Sequence, residues 1–167
     1  MGRKLEVHEK KYDILDANDN SLTFRINIDV LNEAFGVGRS MFAKACYPDK
    51  KHTYFCGTKQ VDKFFIWMPK LYGNSSEWKN SISADGNTIY ETAEPTKKND
   101  WKDEDNGFLE GLRIVFVKQS PKDPYMFVGV FENGTIDYLK HDYKRIATKI
   151  KLIGNPVYGI ELLDDNR

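Results

Sequence analysis

Along residues 22–28, "LTFRINI", Leu22, Phe24, Ile26 and Ile28 alternate with Thr23, Arg25 and Asn27, a period of two that predicts a half-buried strand. A shorter strand is expected over residues 12–15, separated from it by a turn built from Asn and Asp. The period then changes. Val30, Leu31, Ala34 and Phe35 form a helical stripe that Asp29 can cap and that Gly36 and Gly38 end. A second short helix, "SMFAKACY", is expected from Ser40 to just before Pro48. Further strands are expected near residues 52–57 and 63–68, the latter stopped by Pro69, which has no N–H to give to a ladder.

Residues 74–107 are rich in Asn, Ser, Asp and Lys, and only "NTIYETA" among them carries a strand pattern. A loop of that length in a compact domain is usually functional or disordered. Beyond it, Leu112, Ile114 and Phe116 alternate with Arg113, Val115 and Val117, residues 119–124 turn the chain, and residues 125–132 run back. Asn133 and Gly134 both accept positive φ and predict a two-residue hairpin, with "TIDYL" as the next strand of a meander. Residues 141–152 read as a helix through Tyr143, Ile146, Ala147 and Ile150 or as a strand, and β-branched content favours the strand. "NPVYGIELL" closes the pattern with a final short strand. No repeat or linker divides residues 1–167, so one domain is expected. Its fold class is α+β: a mostly antiparallel sheet, with barrel-like closure as one option, one or two N-terminal helices and a long polar loop.

Composition changes this picture in three ways. A hydrophobic share of 40% and an aromatic share of 13% supply a core and leave rings to spare. Twenty-five basic residues balance twenty-five acidic ones, so contact with a polyanion needs a local patch. The start, "MGRKLEVHEK", has no apolar signal core, and no run approaches the ~18 apolar residues of a membrane span. A cytoplasmic protein with no membrane partner is expected, in which the sequons at Asn74 and Asn133 carry no meaning. Cys46 and Cys56 flank His52, but their spacing fits no zinc motif and a fourth ligand is missing nearby. Buried free thiols are expected, with no metal and no cofactor.

No catalytic set assembles. His8, His52 and His141 lack the orienting partners of a triad, and each reads as a surface histidine. The acids from Asp85 to Asp105, among them Glu91, Asp100, Asp103 and Glu104, could serve a small metal-dependent nuclease or form a solvated loop. Two features stand out. Lys140, Lys144, Arg145, Lys149 and Lys151 form a basic stretch able to grip phosphates. Trp78 and Trp101 sit among polar residues of the long loop and are candidates for stacking on a base at ~1–3 kcal/mol each, whereas Trp67, inside "FFIWM", reads as core.

"PYMFVGVFE", residues 124–132, resembles the Pro-Tyr-x-Phe/Tyr-x-Gly pattern of PUA-like domains attached to bacterial restriction systems, the SRA and EVE group of modified-base readers. The similarity spans about residues 115–132. It implies a small distorted β-barrel whose aromatic-lined pocket takes a flipped or modified base, and selection by binding rather than by reaction. Extruding the base costs a few kcal/mol, which stacking and edge hydrogen bonds must offset. On that resemblance Trp78, Trp101 or Tyr125 would stack, Asn80 or Asp85 would read the base edge, and Gly129 would let the chain pass close to the ligand. Lys144, Arg145 and Lys149 would hold backbone phosphate. The balanced charge departs from the basic character of such readers and puts the weight on that local patch. The expected function is a DNA-binding module of a defence or restriction system. The alternatives are a protein-interaction or homodimerisation domain presenting its aromatic loop, and the nuclease above.

Overall fold

The computed structural model, which describes residues 9–38, 46–47, 64–73, 78–93, 111–137 and 140–166, assembles the chain's strand-forming segments into two sheets. The strands are β1 (Ile14–Asp16), β2 (Thr23–Phe24), β3 (Cys46–Tyr47), β4 (Phe64–Trp67), β5 (Trp78–Ile82), β6 (Thr88–Ala93), β7 (Leu112–Lys118), β8 (Tyr125–Asp137), β9 (Lys140–Ala147), β10 (Lys149–Gly154) and β11 (Val157–Leu162). A three-residue helix α1 (Asn27–Asp29) runs on into a π-helical turn, Val30–Ala34. The larger sheet has the order β3-β4-β7-β8-β9-β6-β5, with β2 added beside β8, and the smaller one the order β1-β10-β11. All pairings are antiparallel except β4 with β7. The two ends of the large sheet, β3 and β5, do not pair, so among the described residues it stays open and is not a closed barrel.

One face of the large sheet builds the main core. Leu112, Ile114 and Phe116 of β7 project into it with Phe64 and Ile66 of β4 and Tyr125, Phe127 and Val130 of β8. The smaller sheet closes it with Leu15, Ile150, Leu152, Ile160 and Leu162, and the helical turn adds Val30, Leu31, Ala34 and Phe35. Phe116 is fully buried at the centre, its ring 5.5 Å from Phe24, 5.9 Å from Phe35 and 5.4 Å from Phe127.

Several expectations shift. The strand over residues 22–28 ends at Phe24, and the helical segment starts two residues before Asp29, because Ile26 is the extended residue preceding the first turn and no side chain caps it. The apolar stripe is nonetheless buried as expected. Cys46 and Tyr47 are strand, so the second helix does not run through them; residues 40–45, His52, Cys56 and the strand near 52–57 lie outside the described residues. Polar β5 was missed inside the long loop, since its ladder to β6 rather than an apolar alternation holds it in place. Asn133-Gly134 is not a hairpin turn: β8 continues through Asp137, with a register break between Asn133 and Ile136. At that break Asp142 Oδ1 accepts the Thr135 N–H at 2.8 Å and replaces a ladder partner. Residues 141–152 are strand, in β9 and β10.

Phe116→Ala is expected to cost about 3–5 kcal/mol of stability, the typical loss for a buried ring with three ring neighbours. Urea denaturation would read it, and a loss under 1 kcal/mol would mean that this ring is not the centre of the core.

Candidate functional site

Alternation along β7 sends Arg113, Val115 and Val117 to the face of the large sheet opposite the main core, yet all three are buried. There they join Trp67, Ile89, Phe131 and Tyr143 in a second cluster, with Leu71, Ile82 and Val128 at its margin. Two bulges set this phase. Val128 is the extra residue where Val115 pairs with Gly129 and Phe116 with Phe127, and Ile146 is the extra residue where Val130 pairs with Ala147 and Phe131 with Arg145. Phe127 and Val130 therefore face the core while Val128 and Phe131 face the second cluster, although simple alternation would pair them otherwise.

This face holds all three buried polar or charged residues found among the described ones: Glu91, Arg113 and His141. The Arg113 guanidinium, 5% exposed, lies 4.4 Å from the Tyr143 ring centre, 4.7 Å from Trp67 and 4.8 Å from Phe65. Ring quadrupoles replace part of the lost hydration, at about 2 kcal/mol or more per desolvated contact. The hydroxyl of Tyr143 donates to Glu91 Oε1 at 3.0 Å, across the β6–β9 pair. His141 stacks on Tyr143 with ring centres 4.3 Å apart and planes 22° apart. Burial, and then the nearby Arg113 charge, push the His141 pKa down to about 4 against a weaker opposing pull from Asp142, so the ring is neutral at physiological pH. Asn80 of β5 pairs in register with Glu91, and its side-chain Oδ1 is buried with no hydrogen-bond partner among the described residues.

The hairpin joining β5 to β6 is fastened within its turn and by Arg145 of β9. Within its turn, Ser83 Oγ and the Asn87 N–H both donate to Asp85 Oδ1, at 2.7 and 2.9 Å, and these bonds hold the Asp85 carboxyl below the usual carboxylate range. Arg145 reaches over from β9. Its Nη2 donates to Asn87 Oδ1 at 2.8 Å and to the Asp85 carbonyl at 3.2 Å, and its Nη1 donates to the Val128 carbonyl at 3.2 Å.

The residues predicted from sequence are divided by this architecture. Asn80 belongs to the polar face, and Trp78 occupies β5 two positions before it, in register with Ala93. Asp85 sits in the exposed turn, occupied by its own hydrogen bonds. Tyr125 lies in the main core, 4% exposed and on the other side of the sheet, with burial raising its phenol pKa. Gly129 is the bulge position, at φ +128°. Lys144 and Lys149 are exposed on β9 and β10, which belong to different sheets. Trp101 and the acids of residues 94–110 lie outside the described residues. His141 corrects an expectation, being 2% exposed rather than on the surface, because its alternation with Asp142 turns it inward. Arg113 and Tyr143 were missed altogether, and Glu91 was noticed only as a nuclease acid. The available signal was an arginine inside an otherwise apolar strand.

The fold has a counterpart among known proteins. The sequence matches the family model of the SRA domain, the SET and RING associated domain, over residues 9–152. The chain belongs to the SRA family. SRA domains bind DNA. Among solved structures, this SRA domain is similar to the 5-hydroxymethylcytosine-specific restriction enzyme AbaSI, at 27% identity and a TM-score of 0.60 over 83% of this chain. The match spans 42% of that enzyme's chain. No curated protein matches the sequence. Among the described residues, no helix is long and apolar enough to cross a membrane, and no group of three His, Cys, Asp or Glu side chains is placed to hold a metal ion.

His141 makes the fold acid-sensitive in a defined window. Its folded pKa of about 4 lies below the ordinary 6.5, so the unfolded chain binds the proton first as pH falls. Stability is fully present above pH ~6.5 and is lost progressively toward pH ~4, by roughly 3 kcal/mol at one proton and 1.36 kcal/mol per unit. Urea midpoints measured across this range should fall for the wild-type chain and fall less for His141→Asn. Equal pH slopes in the two would refute the assignment.

Proposed function

We propose that this SRA domain reads an extruded modified cytosine in duplex DNA, by hydrogen bonding at the β5–β6 pair rather than by chemistry on the base. The observation that carries this reading is the acceptor pair formed by Asn80 Oδ1 and the Glu91 carboxylate on directly opposed strand positions, one of them buried without a partner. An unmatched buried acceptor costs about 1–3 kcal/mol, a deficit that an incoming donor removes. Cytosine presents such a donor in its 4-amino group, for which a carboxylate or amide oxygen is the natural acceptor, whereas thymine presents a carbonyl there and would meet two like dipoles. Trp78 or Trp101 supplies the stacking surface in this reading, and Tyr125 remains a core residue.

The modification is proposed to be a 5-hydroxymethyl group, on the strength of the 27% identity to AbaSI, a 5-hydroxymethylcytosine-specific enzyme by name. Exposed Lys144 and Lys149 are proposed phosphate contacts. A nuclease reading gains nothing from Asp85, whose side chain is taken up inside its turn.

Fluorescence anisotropy with three duplexes that differ at one base, carrying cytosine, 5-methylcytosine or 5-hydroxymethylcytosine, tests the proposal. The modified duplex should bind more tightly at moderate salt, and equal affinity for all three removes it. Asn80→Ala and Glu91→Gln should each weaken binding of the preferred duplex by about ten- to a hundredfold, the usual worth of a base-edge contact, while leaving non-specific binding in place. Lys144→Ala should instead weaken all three duplexes alike and lower the slope of log affinity against log salt by about one.

A further inference from the structure

Arg145 stands in the basic stretch of the sequence, but all of its recorded guanidinium hydrogen bonds go to the protein. Nη2 is committed to Asn87 Oδ1 and the Asp85 carbonyl, Nη1 to the Val128 carbonyl, and the Arg145 backbone N–H donates to the Asn87 carbonyl at 2.9 Å. Three segments meet on this one side chain: the β5–β6 turn, the bulge of β8, and β9 itself. Room for it comes from two glycines. A Cβ at Gly86, at φ +77°, would lie 2.8 Å from Arg145 Nη1, and a Cβ at Gly129, at φ +128°, would lie 2.7 Å from Arg145 Cδ and 2.6 Å from the Ala147 carbonyl oxygen. At Gly129 the clash with the fixed Ala147 carbonyl keeps the position empty where the arginine passes, and at Gly86 a side chain would displace the guanidinium from its partners.

We infer that Arg145 is a positioning residue for base discrimination: it fixes the β5–β6 hairpin, and with it Asn80 and Glu91, against the strands that carry Tyr143 and His141. This rests on the base-reading role proposed for Asn80 and Glu91. β5 is an edge strand, held by the ladder to β6 alone among the described strands, so its angle is constrained from one side only. A planar fork that bonds the turn at two points and β8 at a third removes that freedom, and a lysine ammonium, with one nitrogen, cannot span the same three carbonyl-type oxygens. Edge hydrogen bonds are lost over displacements of well under an ångström, so a loosened hairpin reads the base poorly while the phosphate contacts persist.

The test uses the full chain with Arg145→Lys, which keeps the charge, and Asn87→Ala, which removes one acceptor and leaves the arginine in place. Both are assayed well below their melting temperatures, with anisotropy on the cytosine and 5-hydroxymethylcytosine duplexes and hydrogen exchange of the DNA-free protein. The expected result is at least a fivefold loss of the preference between duplexes, an unchanged salt slope, and faster exchange in residues 81–88. A preserved preference overturns the inference, whether the salt slope stays the same or falls by about one for an Arg145→Ala control, the latter marking Arg145 as a phosphate ligand. Should Arg145→Lys not fold, Asn87→Ala decides. If the wild-type chain shows no preference, the base-reading proposal itself fails, and the positioning role then stands or falls on exchange alone: unaltered exchange at residues 81–88 in both variants overturns it.

Discussion

A positive charge with 5% exposure has to be compensated, and the way Arg113 is compensated organises the whole second face of the sheet. The guanidinium lies against the rings of Phe65, Trp67 and Tyr143 at once. Removing its hydration is costly, and aromatic faces return only part of that cost, so the rings must stay where they are. Tyr143 is fixed at its other end by donating to Glu91, and its face carries the neutral His141. A chain of contacts thus runs from the parallel β4–β7 pair, across β9, to β6, and brings a carboxylate beside Asn80 at the sheet's edge. The positive charge of Arg113 also helps to keep His141 from taking up a second one.

The sheet can sustain such a face because its opposite side is an ordinary core. Phe116 and its neighbours, sealed by the smaller sheet and the helical turn, supply the apolar burial that holds the strands. The second face is then free to hold buried polar and charged groups, at a cost in desolvation that the first face offsets. The bulges at Val128 and Ile146 make the division possible, since each slips the register by one residue and reverses which residues face which side. Gly129 belongs to this device, and its missing side chain leaves the passage that Arg145 occupies.

Membership of the SRA family accords with this division of labour. The base-reading role proposed for this face calls for rigid, partly unsatisfied polar groups on well-supported strands. The similarity to AbaSI covers 83% of this chain but 42% of that enzyme's.

Much of the framework was legible in residue order. The strand patterns near residues 63–68, in "NTIYETA" and over residues 112–117 and 125–132, the helical stripe ending at Phe35, and the β-branched content of residues 141–152 each report a local preference that burial then reinforced. The short segment "PYMFVGVFE" pointed to the right family. What alternation could not carry was anything set by contacts between distant strands. Asn133-Gly134 has the chemistry of a turn, but the Asp142 side chain completes the backbone bonding there and the strand runs on. Tyr125 and Asn80 look equally available in one dimension, yet two bulges place them on opposite sides of the sheet. Arg145 reads as a free cation until the turn of a separate hairpin closes around it. The order of residues determined which segments are strands and which family they form; the packing of those strands decided which polar side chains are buried together, because desolvation and charge are felt through space and not along the chain.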